Sequence, residues 1–174
     1  GTQVVQGTLV DKSEKVGTNG QDLFIYTYDI DNLEAGTYEF KYYSELGQCS
    51  DFVAAAIVAA EAPATATPEA TAAPTAKPAE VMIAGDMTLN GSAKVYNDAP
   101  KEPTAAYTEE YSNIFGENFS KAGTSKVGFL GSNFGGYVTK NYTIDETGSY
   151  KAYIMVSYAQ SNNQFALSKD GTQV

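Results

Sequence analysis

The sequence has no histidine, no tryptophan and a single cysteine, Cys49. Without histidine there is no Ser-His-Asp or Cys-His nucleophile pair, and most zinc ligand sets are excluded. One cysteine makes no internal disulfide. Cys49 stands at the start of an apolar stretch with no histidine partner, so it reads as a small buried hydrophobe. Positive charge is scarce as well. Eleven basic residues face 21 acidic ones, and the net charge of −10 repels nucleic-acid backbones and anionic membrane surfaces. No run of 18 apolar residues occurs, so no segment is long enough to cross a bilayer as a helix. The one glycine-rich run, Gly131-Ser132-Asn133-Phe134-Gly135-Gly136, lacks the strand–helix context of a phosphate or dinucleotide loop. The adjacent carboxylates Glu109 and Glu110 lie in a polar turn and read as solvated charge. These absences lead to the expectation of a non-catalytic chain without a cofactor.

What is present points to β-structure. Thirteen tyrosines and eight phenylalanines occur among abundant Thr and Gly, a composition that suits pleated, half-buried surfaces. Period-two alternation predicts strands over Asp22–Ile30, Gly36–Tyr43, Gly136–Ile144 and Tyr150–Tyr158. Phe52–Val58 is a continuous apolar strand, and Thr104–Ile114 is the one hint of a short helix. The stretches Ile30–Tyr38 and Ile144–Tyr150 share an acidic turn, then Gly, a hydroxyl residue and Tyr, a device that hands one strand over to the next. Between the two groups of strands, residues 61–79 are almost wholly Pro, Ala and Thr and form a linker that reaches roughly 60 Å. Linkers of this kind join modules of secreted bacterial proteins, and their threonines invite O-glycosylation. Asn90-Gly91-Ser92, Asn118-Phe119-Ser120 and Asn141-Tyr142-Thr143 fit the N-glycosylation pattern.

The tetrapeptide Gly1-Thr2-Gln3-Val4 recurs as Gly171-Thr172-Gln173-Val174. Superposing the two joins Gln164–Asp170 to Val5–Val10 through Asp170-Gly171, the signature of a β-hairpin. The expected organisation is therefore a C-terminal half of a β-sandwich module in 1–60, a linker in 61–79, and in 80–174 the N-terminal half of the next module, or of the same module in permuted order. The expected partners are neighbouring copies of the module.

Taken in the order 80–174 then 5–60, the chain resembles the jelly-roll β-sandwiches of carbohydrate-binding module families 6 and 35. The matching stretches are Leu89-Asn90-Gly91-Ser92-Ala93, Val127-Gly128-Phe129-Leu130, Gly148-Ser149-Tyr150 with Tyr158-Ala159, Asp170-Gly171, Leu33–Tyr38 and Gly47-Gln48-Cys49-Ser50-Asp51-Phe52-Val53. The resemblance implies an all-β jelly roll and sugar binding where loops meet at one edge of the sandwich. It directs attention to Tyr107, Tyr111, Phe115, Gln160, Asn162 and Gln48 as ligand contacts. The chain departs from the family in four ways. Cys49 stands where a sugar-binding Asn is common, Gln160 where a loop Asn is usual, and no Trp platform exists. Ile83 and Gly85 stand where two Glu residues would hold a structural calcium, which leaves only Asp51 and Asp86 as weak metal candidates. The expected function is a non-catalytic extracellular or cell-surface repeat module, bacterial in type by its linker, acting as spacer, filament or adhesin scaffold; the alternative is a carbohydrate-binding module.

Overall fold

The computed structural model describes residues 4–18, 22–44, 51–60, 80–97, 102–116, 125–130, 134–157 and 163–169. In chain order the strands are β1 (Val4–Val5), β2 (Thr8–Lys12), β3 (Gly17–Thr18), β4 (Leu23–Leu33), β5 (Gly36–Ser44), β6 (Asp51–Ala59), β7 (Val81–Ile83), β8 (Thr88–Asn90), β9 (Lys94–Asn97) and β10 (Glu102–Pro103). The helix α1 (Glu109–Phe115) follows, then β11 (Ser125–Gly128), β12 (Tyr137–Ile144), β13 (Gly148–Ser157) and β14 (Asn163–Lys169). One sheet has the order β1-β14-β5-β12-β8; the larger one has the order β10-β3-β4-β13-β6-β11-β9, with β2 on β4 and β7 on β6.

The two sheets pack face to face, as the alternation in the sequence demands. Tyr38, Phe40 and Tyr42 of β5, Val138, Tyr142 and Ile144 of β12, and Phe165 and Leu167 of β14 point inward from the smaller sheet. They meet Tyr26, Tyr28 and Ile30 of β4, Phe52 and Ile57 of β6, and Ile154 and Val156 of β13. Aromatic pairs cross the gap: Tyr28 meets Phe165 edge-on at 5.0 Å, and Tyr42 meets Phe52 at 5.2 Å. Tyr142 also donates its hydroxyl across the gap to the Ile57 carbonyl at 2.9 Å.

The larger sheet is covered on its outer face too, which explains the unbroken apolar run in β6. Met155 pairs with Ala54 and Val156 with Phe52, so Val53 is an extra residue at a β-bulge. Phe52, Ala55 and Ile57 enter the space between the sheets, whereas Val53, Ala54 and Ala56 face outward into a second cluster with Leu23, Ile25, Tyr153 and Met155. Helix α1 lies over this cluster through Tyr111 and Phe115. Seven residues are too few to hold a helix alone. Packing holds this one, together with the Thr108 hydroxyl, which caps the Tyr111 N–H, and the Tyr153 hydroxyl, which donates to Glu110 Oε1 at 2.8 Å.

The two related turns adopt one design. Tyr38 donates to the Glu34 carbonyl at 2.8 Å and Tyr150 to the Glu146 carbonyl at 2.6 Å, each four residues back. The turns also touch, since the Ala35 N–H donates to Thr147 Oγ1 at 2.9 Å. Asn32 takes φ 55 where the β4–β13 register shifts, a conformation that Asn tolerates better than most residues.

Strands from the two sides of residues 61–79 are neighbours in both sheets. β14 lies between β1 and β5, and β13 between β4 and β6. Within this chain residues 4–60 pair with residues 80–169, and the linker itself lies outside the described residues. The Asp170-Gly171 turn also lies outside them, but β1 sits beside β14 with Val4 opposite Ser168 and Val5 opposite Leu167.

Two outcomes follow. Ile154 is fully buried between the sheets, so Ile154→Ala should cost about 2–5 kcal/mol in a denaturant melt, with a single transition for the whole sandwich. Burial, as the leading cause, pushes the Tyr142 hydroxyl up to about 12, and burial does the same to Tyr107. An unfolded Tyr ionises near 10, so the unfolded chain sheds these protons first. The stabilisation is complete below pH 10 and is lost as pH rises toward 12. A thermal melt followed against pH should show that fall, with tyrosinate absorbance appearing together with unfolding.

Candidate functional site

One edge of the sandwich gathers many strand ends. Ser157 of β13 stands opposite both Leu23 and Asp51, Asn163 of β14 opposite Ser44, Tyr137 of β12 opposite Asn90, and Gly128 of β11 opposite Lys94. The described strands thus end at this edge at Ser44, Asp51, Ser157 and Asn163, on either side of residues 45–50 and 158–162. Gln48, Cys49, Gln160 and Asn162 fall in those segments and lie outside the described residues, as do Asn118 and Phe119.

The aromatic candidates 107–115 are elsewhere. Phe115 is fully buried and Tyr111 nearly so, both on the outer face of the larger sheet. Tyr107 is half-buried and donates its hydroxyl to the Tyr111 carbonyl at 3.2 Å. Their rings pack α1 against the outer face of β4, β6 and β13. The physical reason is the apolar outer face of β6, which needs a cover.

A different set of rings is exposed at the loop edge. Tyr96, Phe129 and Phe134 are 39%, 37% and 42% exposed, large fractions for aromatic side chains. Tyr96 and Phe129 stack at 6.0 Å between centroids, and Phe134 meets Phe129 edge-on at 5.3 Å. The Lys94 ammonium stands 5.5 Å over the Phe129 ring. All basic residues of the chain are lysine. Among the described residues Lys12, Lys41 and Lys94 lie over aromatic rings and are in no ion pair.

The backbone beneath this ledge is locked. Phe129 takes φ 59, the left-handed region that bulky residues avoid. The Ser92 hydroxyl reaches the Phe129 carbonyl at 3.1 Å and the Phe134 carbonyl as well. Gly136 lies so near the Phe129 carbonyl that a Cβ there would collide with it, and Gly91, at φ 62, stands equally close to the Gly135 carbonyl. The ledge is thus preformed on backbone contacts that only glycine permits.

Behind the ledge, the Lys126 ammonium lies 3.1 Å from Asp51 Oδ2, with both side chains largely buried. Lys126 thus supplies Asp51 with its cation. Ile83 packs against the outer-face cluster, Asp86 is exposed in the turn Ala84–Asp86, and Gly85 offers no side chain. This donor set does not fit the calcium that the resemblance implies. No group of three or more His, Cys, Asp or Glu side chains suited to a metal ion occurs among the described residues. Of the glycosylation patterns, Asn90 donates to Thr139 Oγ1 at 3.2 Å and Ser92 is engaged with the ledge, whereas Asn141 is exposed on β12.

Comparison with family models, with curated proteins and with solved structures found no match.

The sequence carried one signal for the ledge. Phe129 and Phe134 flank Gly131-Ser132-Asn133, and an apolar ring beside a polar, glycine-rich loop has little access to a core. The strain gives a direct test. Phe129→Gly and Phe129→Ala both remove the ring, but glycine also removes the left-handed penalty of about 1–2 kcal/mol. The Gly variant should be the more stable of the two by about that amount in chemical denaturation; the reverse order would contradict the backbone conformation.

Proposed function

We propose that the chain is a non-catalytic extracellular module, a β-sandwich of jelly-roll type, that binds carbohydrate at its loop edge. The observation that supports this reading is the exposed Tyr96–Phe129–Phe134 ledge, with Phe129 held in a costly conformation. Aromatic faces stack on the C–H faces of sugar rings, and a preformed platform lowers the ordering cost of binding. The Lys94 ammonium and the Tyr96 hydroxyl add polar handles beside the rings. This site differs from the residues that the family resemblance singled out, and it calls for neither Cys49 nor a calcium ion.

A structural reading, in which the module is a spacer or scaffold in an array of copies, is favoured by one separate observation. The repeated tetrapeptide Gly-Thr-Gln-Val ends, in its first copy, in the Val4 that lies against β14.

A glycan-array screen followed by calorimetric titration separates the two. The binding reading predicts a glycan ligand whose affinity falls about tenfold or more in Phe129→Ala and in Tyr96→Ala, while Tyr107→Phe binds normally. A ligand that both ledge variants hold as well as the parent chain contradicts the ledge. A module that binds no glycan at all leaves the scaffold reading.

A further inference from the structure

We propose that copies of this chain exchange halves, so that residues 4–60 of one copy complete both sheets of another; this goes beyond the ligand reading and does not depend on it. β13 pairs with β4 along one side, from Tyr150 opposite Ile30 to Ser157 opposite Leu23, and with β6 along the other, from Tyr150 opposite Ala59 to Ser157 opposite Asp51. β5 likewise sits between β12 and β14. Residues 4–60 thus present three long strands whose inner faces carry Tyr26, Tyr28, Tyr38, Phe40, Tyr42 and Phe52, and each needs a strand from beyond residue 80 beside it. The partner surface is specific in register and in shape, and it is one that any copy of the chain supplies.

The connection does not dictate which copy that is. β6 and β7 are adjacent antiparallel strands, with Ala56 opposite Val81. A turn of a few residues joins such neighbours, yet residues 61–79 stand between them, with a reach of roughly 60 Å. The same reach extends to a neighbouring sandwich, and the contacts made there are the same ones, as in any domain-swapped pair. Closure within one chain is favoured by an effective concentration in the millimolar range. Exchange therefore wins where copies are held together at or above that concentration.

Cross-strand cysteines read the exchange directly. Thr37 and Thr143 are exposed, directly opposed residues of β5 and β12, close enough for a disulfide. In a Cys49→Ser background, full-length Thr37→Cys and full-length Thr143→Cys chains are mixed, unfolded, refolded together at about a millimolar and oxidised mildly. The chain that carries both cysteines, expected to close as a monomer, shows that the geometry allows the bond. Exchange predicts a mixed disulfide dimer several-fold in excess of the two like-with-like dimers. It also predicts that the excess vanishes when the two chains are folded separately before mixing. Mixed dimer no more abundant than like-with-like dimers, with the double-cysteine control closed, overturns the proposal. Loss of glycan binding has no bearing on this readout.

Discussion

The pairing of β13 with β4 on one side and β6 on the other is the constraint on which the rest of the molecule depends. These three strands lie side by side in the larger sheet, and two of them come from before the Pro/Ala/Thr segment and one from after it. Tyr26, Tyr28, Ile57, Ile154 and Val156 then share one face, and Leu23, Ile25, Ala54, Ala56, Tyr153 and Met155 share the other. Apolar burial on both faces is the largest favourable contribution available to a chain of this size. Neither half obtains it alone, since each presents aromatic faces that only the other covers.

The outer cover and the loop edge follow from that arrangement. Because β6 is apolar on both faces, α1 is drawn onto the outer one, and this takes Tyr111 and Phe115 out of contact with solvent. At the end of β11, by contrast, the chain turns through Phe129 in a left-handed conformation, and the Ser92 hydroxyl and two close-packed glycines fix it there. Strain of this kind persists where the surroundings over-determine it, and it tends to lie at sites with a role other than stability. The buried Lys126–Asp51 pair completes this corner. A lone buried carboxylate would be costly, and the ammonium offsets that cost without a metal ion.

The long strands were legible in the sequence; burial follows period two in β5 and β12, whereas β4 and β13, covered on both faces, hold consecutive buried residues at Ile25–Tyr28 and Ala152–Ser157. The unbroken apolar run 52–58 was legible as a strand, but its burial on both faces and its bulge at Val53 depend on pairing with β13 and on the cover of α1. The short helix was legible over Thr104–Ile114 and is observed at Glu109–Phe115. Its role was not. Tyr107, Tyr111 and Phe115 have the same residue types whether they face a sugar or a sheet, and only the packing partner decides. The ledge was obscured for a related reason. Tyr96 and Phe129 are distant in sequence and meet only because β9 and β11 pair, with Lys94 opposite Gly128. The repeated turn was read correctly as a device, but the matching tyrosine hydrogen bonds and the contact between the two turns are tertiary facts.

Native-state hydrogen exchange resolved by residue tests the central claim, that the strands on both sides of residues 61–79 form one cooperative unit. The interleaved account predicts that the slowest amides of β4, β6 and β13 share a single opening free energy and lose protection together as denaturant is added. Amides of residues 23–59 that open at a distinctly lower free energy than those of β12 and β13, with the latter still protected, would contradict it.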